Sequence, residues 1–429
     1  MTNPSNIKPT ERQLEFLGWE LGAFVHFGIR TFNEENRDWD FKQMDPATFN
    51  PTELDCDEWA RQFAKAGVKY AILTTKHHDG FALWQTDTTE FSIKNSPYKN
   101  GKGDVVMEFT DAMRKAGIKI GLYYSSSQFD AKTLHKSAYS DFVVSQIAEI
   151  LSRYGKIDII WFDGCGANGD VYDVEKIMKT IYDLQPDIRV SGFEGKGNDF
   201  RWIGNEWGLA HMNNDNVVSS MEQDITHESA AIPQAKFIPG ECDACMVRND
   251  AENFWFYSEN YKDCVRTKEE MVALYEYSIG RGANLLINLA PDRKGHLQKS
   301  NVEALQYMHD EINRRLSECA LVPDKIEKCG NEYRISFDRA YLFDKLLLEE
   351  DMTNGQKVRG FTVYVAPYQT PGRICVYRGC TIGHKQICSF PPIRGRCIDI
   401  VFNDNNNDAV LSKILPMYVS GEQIFQIKK

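Results

Sequence analysis

Long apolar runs are missing from this chain: nothing approaches the ~18 consecutive apolar residues of a membrane-spanning helix. The opening residues, MTNPSNIKPTERQ, hold no apolar signal core. The chain as it stands therefore reads as cytoplasmic, and as periplasmic or secreted if a signal peptide has been removed. No strand-like run leads into a G-x-G-x-x-G or Walker loop, which counts against a doubly wound open sheet, the other fold that would give alternating strands and helices. Positive charge is in deficit, with a net charge of −11, which argues against a nucleic-acid or anionic-membrane partner. The 11 cysteines are odd in number and scattered without a framework spacing, so they read as reduced and structural. Cys242 and Cys245 form a CxxC, but the second CxxC or spaced histidine pair of a zinc site is lacking. Tryptophan is absent beyond Trp255.

What is present is a chain of 429 residues, long enough for two or three domains, with 42% apolar and 26% charged residues. Short apolar runs alternate with helical patterns over the first three quarters. The strand-like runs are 21–28, 69–75, 118–125, 157–163, 187–193, 235–240 and 284–291. Two of the intervening helical stretches end in KAG followed by a β-branched residue and lysine, KAGVKY and KAGIKI. The glycine supplies the left-handed residue that stops a helix, and the next strand starts at once. Repeated strand–helix–strand units predict a parallel sheet with helices outside it, in the manner of a (β/α)8 TIM barrel, closed or irregular.

The pattern changes after a helix predicted at 297–316. Short alternating runs such as EYRISF, VRGFTVYVA and CIDIVF, separated by NG, PG and DNNND turns, predict an antiparallel β-sandwich. The expected division is a catalytic barrel over 1–318 and a sandwich over 319–429. Without tryptophan platforms, the sandwich reads as a packing domain rather than a sugar-binding one.

Polar and aromatic residues recur at the ends of the predicted strands, where α/β barrels keep their chemistry. His26 follows the first strand. TTKHHDGFALW, with His77, His78 and Asp79, follows the second. Tyr123 closes the third, and IDIIWFDG closes the fourth with Trp161 and Asp163. RWIGNEWG follows the fifth with Trp202, Glu206 and Trp207, and the sixth runs into Glu241. Taken singly, each has a plainer explanation: a core histidine, a helix-capping aspartate, an aromatic core cap. The HHD tract also suggests a metal-dependent hydrolase, but adjacent histidines in a strand point to opposite faces, and carboxylates at metal-hydrolase spacing are absent. Together, imidazoles, carboxylates and indoles at one rim describe a site for a neutral, hydroxyl-rich ring.

FVHFG, TTKHHDGFALW, LYYS, WFDG, RWIGNE, PGE and GANLLINLAPDRKG together resemble glycoside hydrolase family 29, the retaining α-L-fucosidases, over about 1–300. The resemblance implies an exo-glycosidase that releases terminal α-L-fucose from a fucosylated oligosaccharide or glycoconjugate by double displacement, without metal or cofactor. It assigns the nucleophile to Asp163. His26, His77 and His78 become ligands of the fucose hydroxyls, and Tyr123 and Trp161 line the same pocket. Asp38 and Trp39, in NRDWD, stand where relatives carry an acidic residue followed by tryptophan. RWIGNEWG resembles the subfamily that prefers α1,3- and α1,4-linked fucose, which makes Glu206 the acid/base. Glu241 is the runner-up, or else a structural carboxylate paired with a buried base such as Arg281. Phe27 and Phe81 are candidates for the apolar wall that the fucose methyl group needs. The competing readings are a retaining exo-glycosidase of galactose-like specificity and a non-catalytic fucose- or glycan-binding barrel.

Overall fold

The computed structural model describes residues 4–33, 44–126, 136–163, 173–192, 198–221, 230–248, 254–403 and 408–423. Asp38 and Trp39 lie outside the described residues. In chain order the first strands are β1 (Leu21–Val25), β2 (Tyr70–Lys76), β3 (Lys119–Ser125), β4 (Ile159–Asp163), β5 (Arg189–Ser191) and β6 (Arg201–Trp202). A two-stranded hairpin follows, β7 (Val217–Met221) with β8 (Ala230–Phe237), and then β9 (Gly240–Cys245) and β10 (Asn284–Asn288). Eight of these make one sheet in the order β5-β4-β3-β2-β1-β10-β9-β6, and every pairing in it is parallel. It is a nearly closed α/β barrel.

Helices α1 (Glu11–Trp19), α2 (Cys56–Lys65), α3 (Val105–Ala116), α4 (Lys136–Arg153), α5 (Val174–Leu184), α6 (Lys268–Tyr277) and α7 (Lys299–Ser317) accompany the sheet. Their ends follow from local chemistry. Thr10 and Gln13 form a capping box on α1, and Asp55 and Asp104 cap α2 and α3. Gly67 and Gly117, the glycines of the two KAG tracts, have φ of +75° and +73°, as the helix-stop reading requires. The alternation of side chains along each strand then divides the core in two. Ala23, Val25, Leu73, Leu122, Ile160 and Cys242 pack outward against the helices. Phe24, Tyr70, Ile72, Tyr123, Ile159 and Trp161 point inward and fill the barrel.

The sixth predicted strand was misplaced. Residues 235–240 belong largely to the hairpin strand β8, and the barrel strand β9 begins at Gly240. The barrel strand β6, Arg201–Trp202, is two residues long, too short to leave an alternating pattern. Two consequences reach the site. Glu241 enters at the start of β9, inside the barrel, rather than beyond a strand end. Glu206 stands just past the end of β6.

After α7 come β11 (Lys325–Cys329), β12 (Glu332–Glu350), β13 (Phe361–Pro367), β14 (Ile374–Gly379), β15 (Gln386–Phe402) and β16 (Leu411–Met417), all antiparallel. The long strands β12 and β15 carry register shifts where they bend, and the sheet folds over its own core of Ile335, Phe343, Leu346, Val363, Ile398 and Phe402. This is the β-sandwich. Glu20, just after α1, holds it to the barrel through His384 at 2.9 Å and through Lys385.

Candidate active site

The site grows out of the C-terminal ends of β1 to β4 and β10. Asp163 is the last residue of β4, paired in register with Ser125 of β3. Its Oδ2 accepts a hydrogen bond of 2.8 Å from the Tyr123 hydroxyl and lies 3.6 Å from His78 Nε2. Its side chain is 31% exposed, so the carboxylate is held from within and open to the cavity. Tyr123 is sandwiched in turn: its ring stacks at 5.5 Å on His77 and at 5.6 Å on Trp161, nearly parallel to both. The three aromatic planes form a continuous wall beside the carboxylate.

The imidazoles are fixed individually. His78 Nδ1 meets the Ser125 hydroxyl at 2.6 Å, which turns Nε2 toward Asp163. His26 Nδ1 lies 2.8 Å from Asn288 Oδ1, and the same oxygen accepts from the His26 backbone N–H. Asn288 Nδ2 donates to the Trp255 carbonyl, so Oδ1 is the end that faces His26. His26 therefore carries its hydrogen on Nδ1 and keeps Nε2 as an acceptor. His77 Nδ1 is buried without a hydrogen-bond partner among the described residues. Burial lowers the proton affinity of all three rings, and for His26 it brings the pKa down to about 3. Three neutral imidazoles beside one carboxylate suit a neutral polyhydroxylated ring.

The HHDG turn is anchored behind the site. Asp79 accepts from the Phe81 backbone N–H at 2.7 Å and pairs with buried Arg30 at 3.3 Å. Lys76 lies over the Tyr124 ring at 4.3 Å, and burial lowers its pKa to about 7. Phe27 and Phe81 do not wall the cavity. They pack outward, against Phe49, Trp59 and Phe91, on the helix side of the sheet. The apolar ring at the histidines is Phe256, edge-on to His26 at 5.4 Å and to His77 at 5.0 Å. Trp255 lies beside it, 4.9 Å from His26. Neither residue stands out in sequence, because they lie in a loop without periodic pattern.

The two remaining carboxylates are separated by environment. Glu241 is 1% exposed, and its oxygens accept from the Tyr70 hydroxyl at 2.6 Å and from Trp161 Nε1 at 2.9 Å. Burial raises its pKa to about 7, against those two hydrogen bonds. Its partners are thus a phenol and an indole. Arg281, expected as its base, instead donates to the Ala210 carbonyl and stacks on Tyr277. Glu206 is exposed, and its Oε2 accepts from Trp255 Nε1 at 3.3 Å. A further acid went unremarked in the sequence. Asp243 follows Glu241 by two residues, so it points into the barrel on the same face. It is 5% exposed and accepts from Trp202 Nε1 at 2.8 Å. The two-residue spacing in GECDAC was its only signal. Cys242 and Cys245, three apart on this strand, face opposite sides and form no disulfide with each other.

Comparison with known proteins bears on this geometry directly. A family model described as alpha-L-fucosidase matches residues 20–314, the whole span that builds the site. The chain belongs to the α-L-fucosidase family. Alpha-L-fucosidase 1 of Arabidopsis thaliana is 30% identical over 94% of this chain and 86% of its own length. Among solved structures, a putative alpha-L-fucosidase from Bacteroides ovatus superposes with a TM-score of 0.83 at 30% identity, covering 99% of this chain and 76% of that one. A Ruminococcus gnavus fucosidase of glycoside hydrolase family 29, solved in complex with fucose, gives 0.81 at 25% identity over 97% and 96% of the two chains. The chain is accordingly a glycoside hydrolase that acts on fucosylated substrates.

Proposed function

We propose that this α-L-fucosidase removes terminal α1,3- and α1,4-linked fucose from branched glycans with retention of configuration. Asp163 is the nucleophile and Glu206 the acid/base. The observation that carries the reading is Asp163 itself: a carboxylate at a barrel-strand end, steadied by Tyr123 and His78 and surrounded by neutral imidazoles. In the first step Asp163 attacks C1 while Glu206 protonates the departing glycosidic oxygen, leaving a β-fucosyl ester. In the second, ionised Glu206 takes a proton from water, water attacks C1, and the ester bond breaks with release of α-fucose. His26, His77 and His78 hold the sugar hydroxyls, Tyr123 and Trp161 line the same pocket, and Phe256 takes the role first sought in Phe27 and Phe81, that of a surface for the methyl group.

The choice of Glu206 over Glu241 is supported by exposure. Both oxygens of Glu241 are engaged deep in the barrel, whereas Glu206 stands at the rim where a leaving group departs. The linkage preference is supported by RWIGNEWG and by the 52% exposed Trp207 next to Glu206, an indole available to an aglycone sugar. The ratio of kcat/KM on a Lewis-type branched trisaccharide to that on an aryl fucoside tests the preference. A high ratio is expected, and efficient turnover of the aryl fucoside with none of the trisaccharide would refute it.

A further inference from the structure

The double displacement leaves Glu241, a buried acid of the barrel core, without a task. The residue is 1% exposed, and a carboxylate at such a place costs more than an apolar side chain of similar size would. Both of its partners are neutral donors: the Tyr70 hydroxyl at 2.6 Å on Oε2 and Trp161 Nε1 at 2.9 Å on Oε1. The second of these bonds leads to the site. An indole carries its one polar hydrogen on Nε1, so a bond there fixes the rotation of the whole ring. Trp161 pairs with Tyr123 in the register of β3 and β4, and the two rings stack at 5.6 Å with 17° between their planes. The Tyr123 hydroxyl then donates to Asp163 Oδ2 at 2.8 Å. From Glu241 to Asp163 the contacts are continuous: a hydrogen bond, a stacked pair of rings and a second hydrogen bond.

We propose that Glu241 is a positioning residue for the nucleophile: from inside the barrel it sets the plane of Trp161, and through the stacked Tyr123 ring it keeps the phenolic hydroxyl aimed at Asp163. The inference rests on Asp163 being the nucleophile, and it takes Glu241 out of the proton transfers. The role asks for an acceptor and not for a charge. Burial raises the Glu241 pKa to about 7, so the carboxyl changes protonation in the neutral range. With a proton on Oε2, Oε1 still accepts from Trp161, and the Tyr70 hydroxyl, which can accept as well as donate, turns to take the new hydrogen. An apolar residue of similar length would fill the space but leave the indole N–H unpaired, and the ring would be free to tilt. A shift of about 1 Å passed on to a reacting group is enough to cost on the order of 100-fold in rate.

Glu241→Gln keeps the acceptor, since its amide oxygen can face Trp161 while its amide nitrogen donates to Tyr70. Glu241→Met removes it. The rate at which a 2-fluorinated fucosyl donor with a good leaving group labels the enzyme reads the attack of the nucleophile directly. Glu241→Gln should label about as fast as wild type. Glu241→Met should label slower by on the order of 10-fold or more, and should slow a nitrophenyl fucoside and a fucosyl disaccharide by the same factor. Added to Tyr123→Phe, Glu241→Met should cost little more, because its effect runs through that hydroxyl. Trp161→Phe removes the same hydrogen bond from the other side and should show the same loss, so it carries the test if Glu241→Met does not fold. Labelling of Glu241→Gln as slow as that of Glu241→Met or Trp161→Phe overturns the proposal. So does a Glu241→Met enzyme that melts earlier but labels at the wild-type rate, which would leave Glu241 a purely structural part, and so do additive losses with Tyr123→Phe. Failure of the underlying assignment reads differently: the wild-type enzyme would then carry the label on a residue other than Asp163.

Discussion

At the scale of single residues the site works by fixing neutral imidazoles around one carboxylate. Asn288 sets the His26 tautomer with a single side-chain oxygen. His26→Ala should therefore weaken fucose binding by ~1–3 kcal/mol, the cost of hydroxyls left unpaired in a closed pocket, as titration calorimetry would read it. The same burial has a consequence for stability. The folded state holds His26 neutral down to about pH 3, whereas an unfolded histidine takes up its proton near 6.5. The unfolded state thus binds more protons between these limits, so stability falls as pH drops from 6.5 toward 3. His26→Gln should flatten that part of the curve in denaturant titrations; an unchanged slope would show that burial of this ring is not its source. Glu206→Ala should cripple hydrolysis of a fucosyl disaccharide and spare an activated aryl fucoside, with azide restoring turnover as fucosyl azide. Equal losses on both substrates would remove Glu206 from the acid role.

At the scale of elements, strand register decides which residues reach the site. Most of it was legible in the sequence. The strand-end positions of His26, His77, Tyr123, Trp161 and Asp163 follow from apolar runs that end in polar residues, and the structure brings all five together with His78. The stretch around β9 was not legible. Its sequence, GECDAC, carries two acids and two cysteines and reads as no strand, while the neighbouring AKFIPG does. The acids are tolerated there because the barrel interior satisfies them with Tyr70, Trp161 and Trp202. Gly22 makes one of those contacts possible. A Cβ at Gly22 would lie 2.4 Å from the Tyr70 ring, which crosses β1 on its way to Glu241. Gly22→Ala should displace that phenol and cost about 1–3 kcal/mol. Tyr70→Phe should leave the ring in place and lose only the hydrogen bond. Thermal melts of the two variants and of their combination check this, and additive losses would contradict it, since both changes act through one phenol.

At the scale of the whole molecule, the sandwich serves as a clamp on the foot of the barrel. Burial alone would raise the Glu20 pKa, but the hydrogen bond from His384 and the charge of Lys385 hold it at about 2. Lys385 is itself buried and takes Glu20 as its acidic partner. Glu20→Gln should strand that ammonium and cost on the order of 3 kcal/mol, with activity per folded molecule unchanged. The contribution of the carboxylate is full above the unfolded value of 4.5 and is lost as pH falls toward 2. Acid titration of wild type and Glu20→Gln should therefore converge at low pH. Curves that stay parallel would remove the ion pair from the account. The particular ion pair, between residues 365 positions apart, was beyond any local pattern in the sequence.

The covalent intermediate offers the most direct test of the central claim. A 2-fluorinated fucosyl donor with a good leaving group forms the ester and hydrolyses it slowly, so the labelled enzyme can be digested and read by peptide mass spectrometry. The label should sit on the peptide containing Ile159–Asp163, at Asp163, and Asp163→Ala should take up none. A label on Glu206, Glu241 or Asp243, or turnover by Asp163→Ala at a tenth of the wild-type rate, would contradict the mechanism.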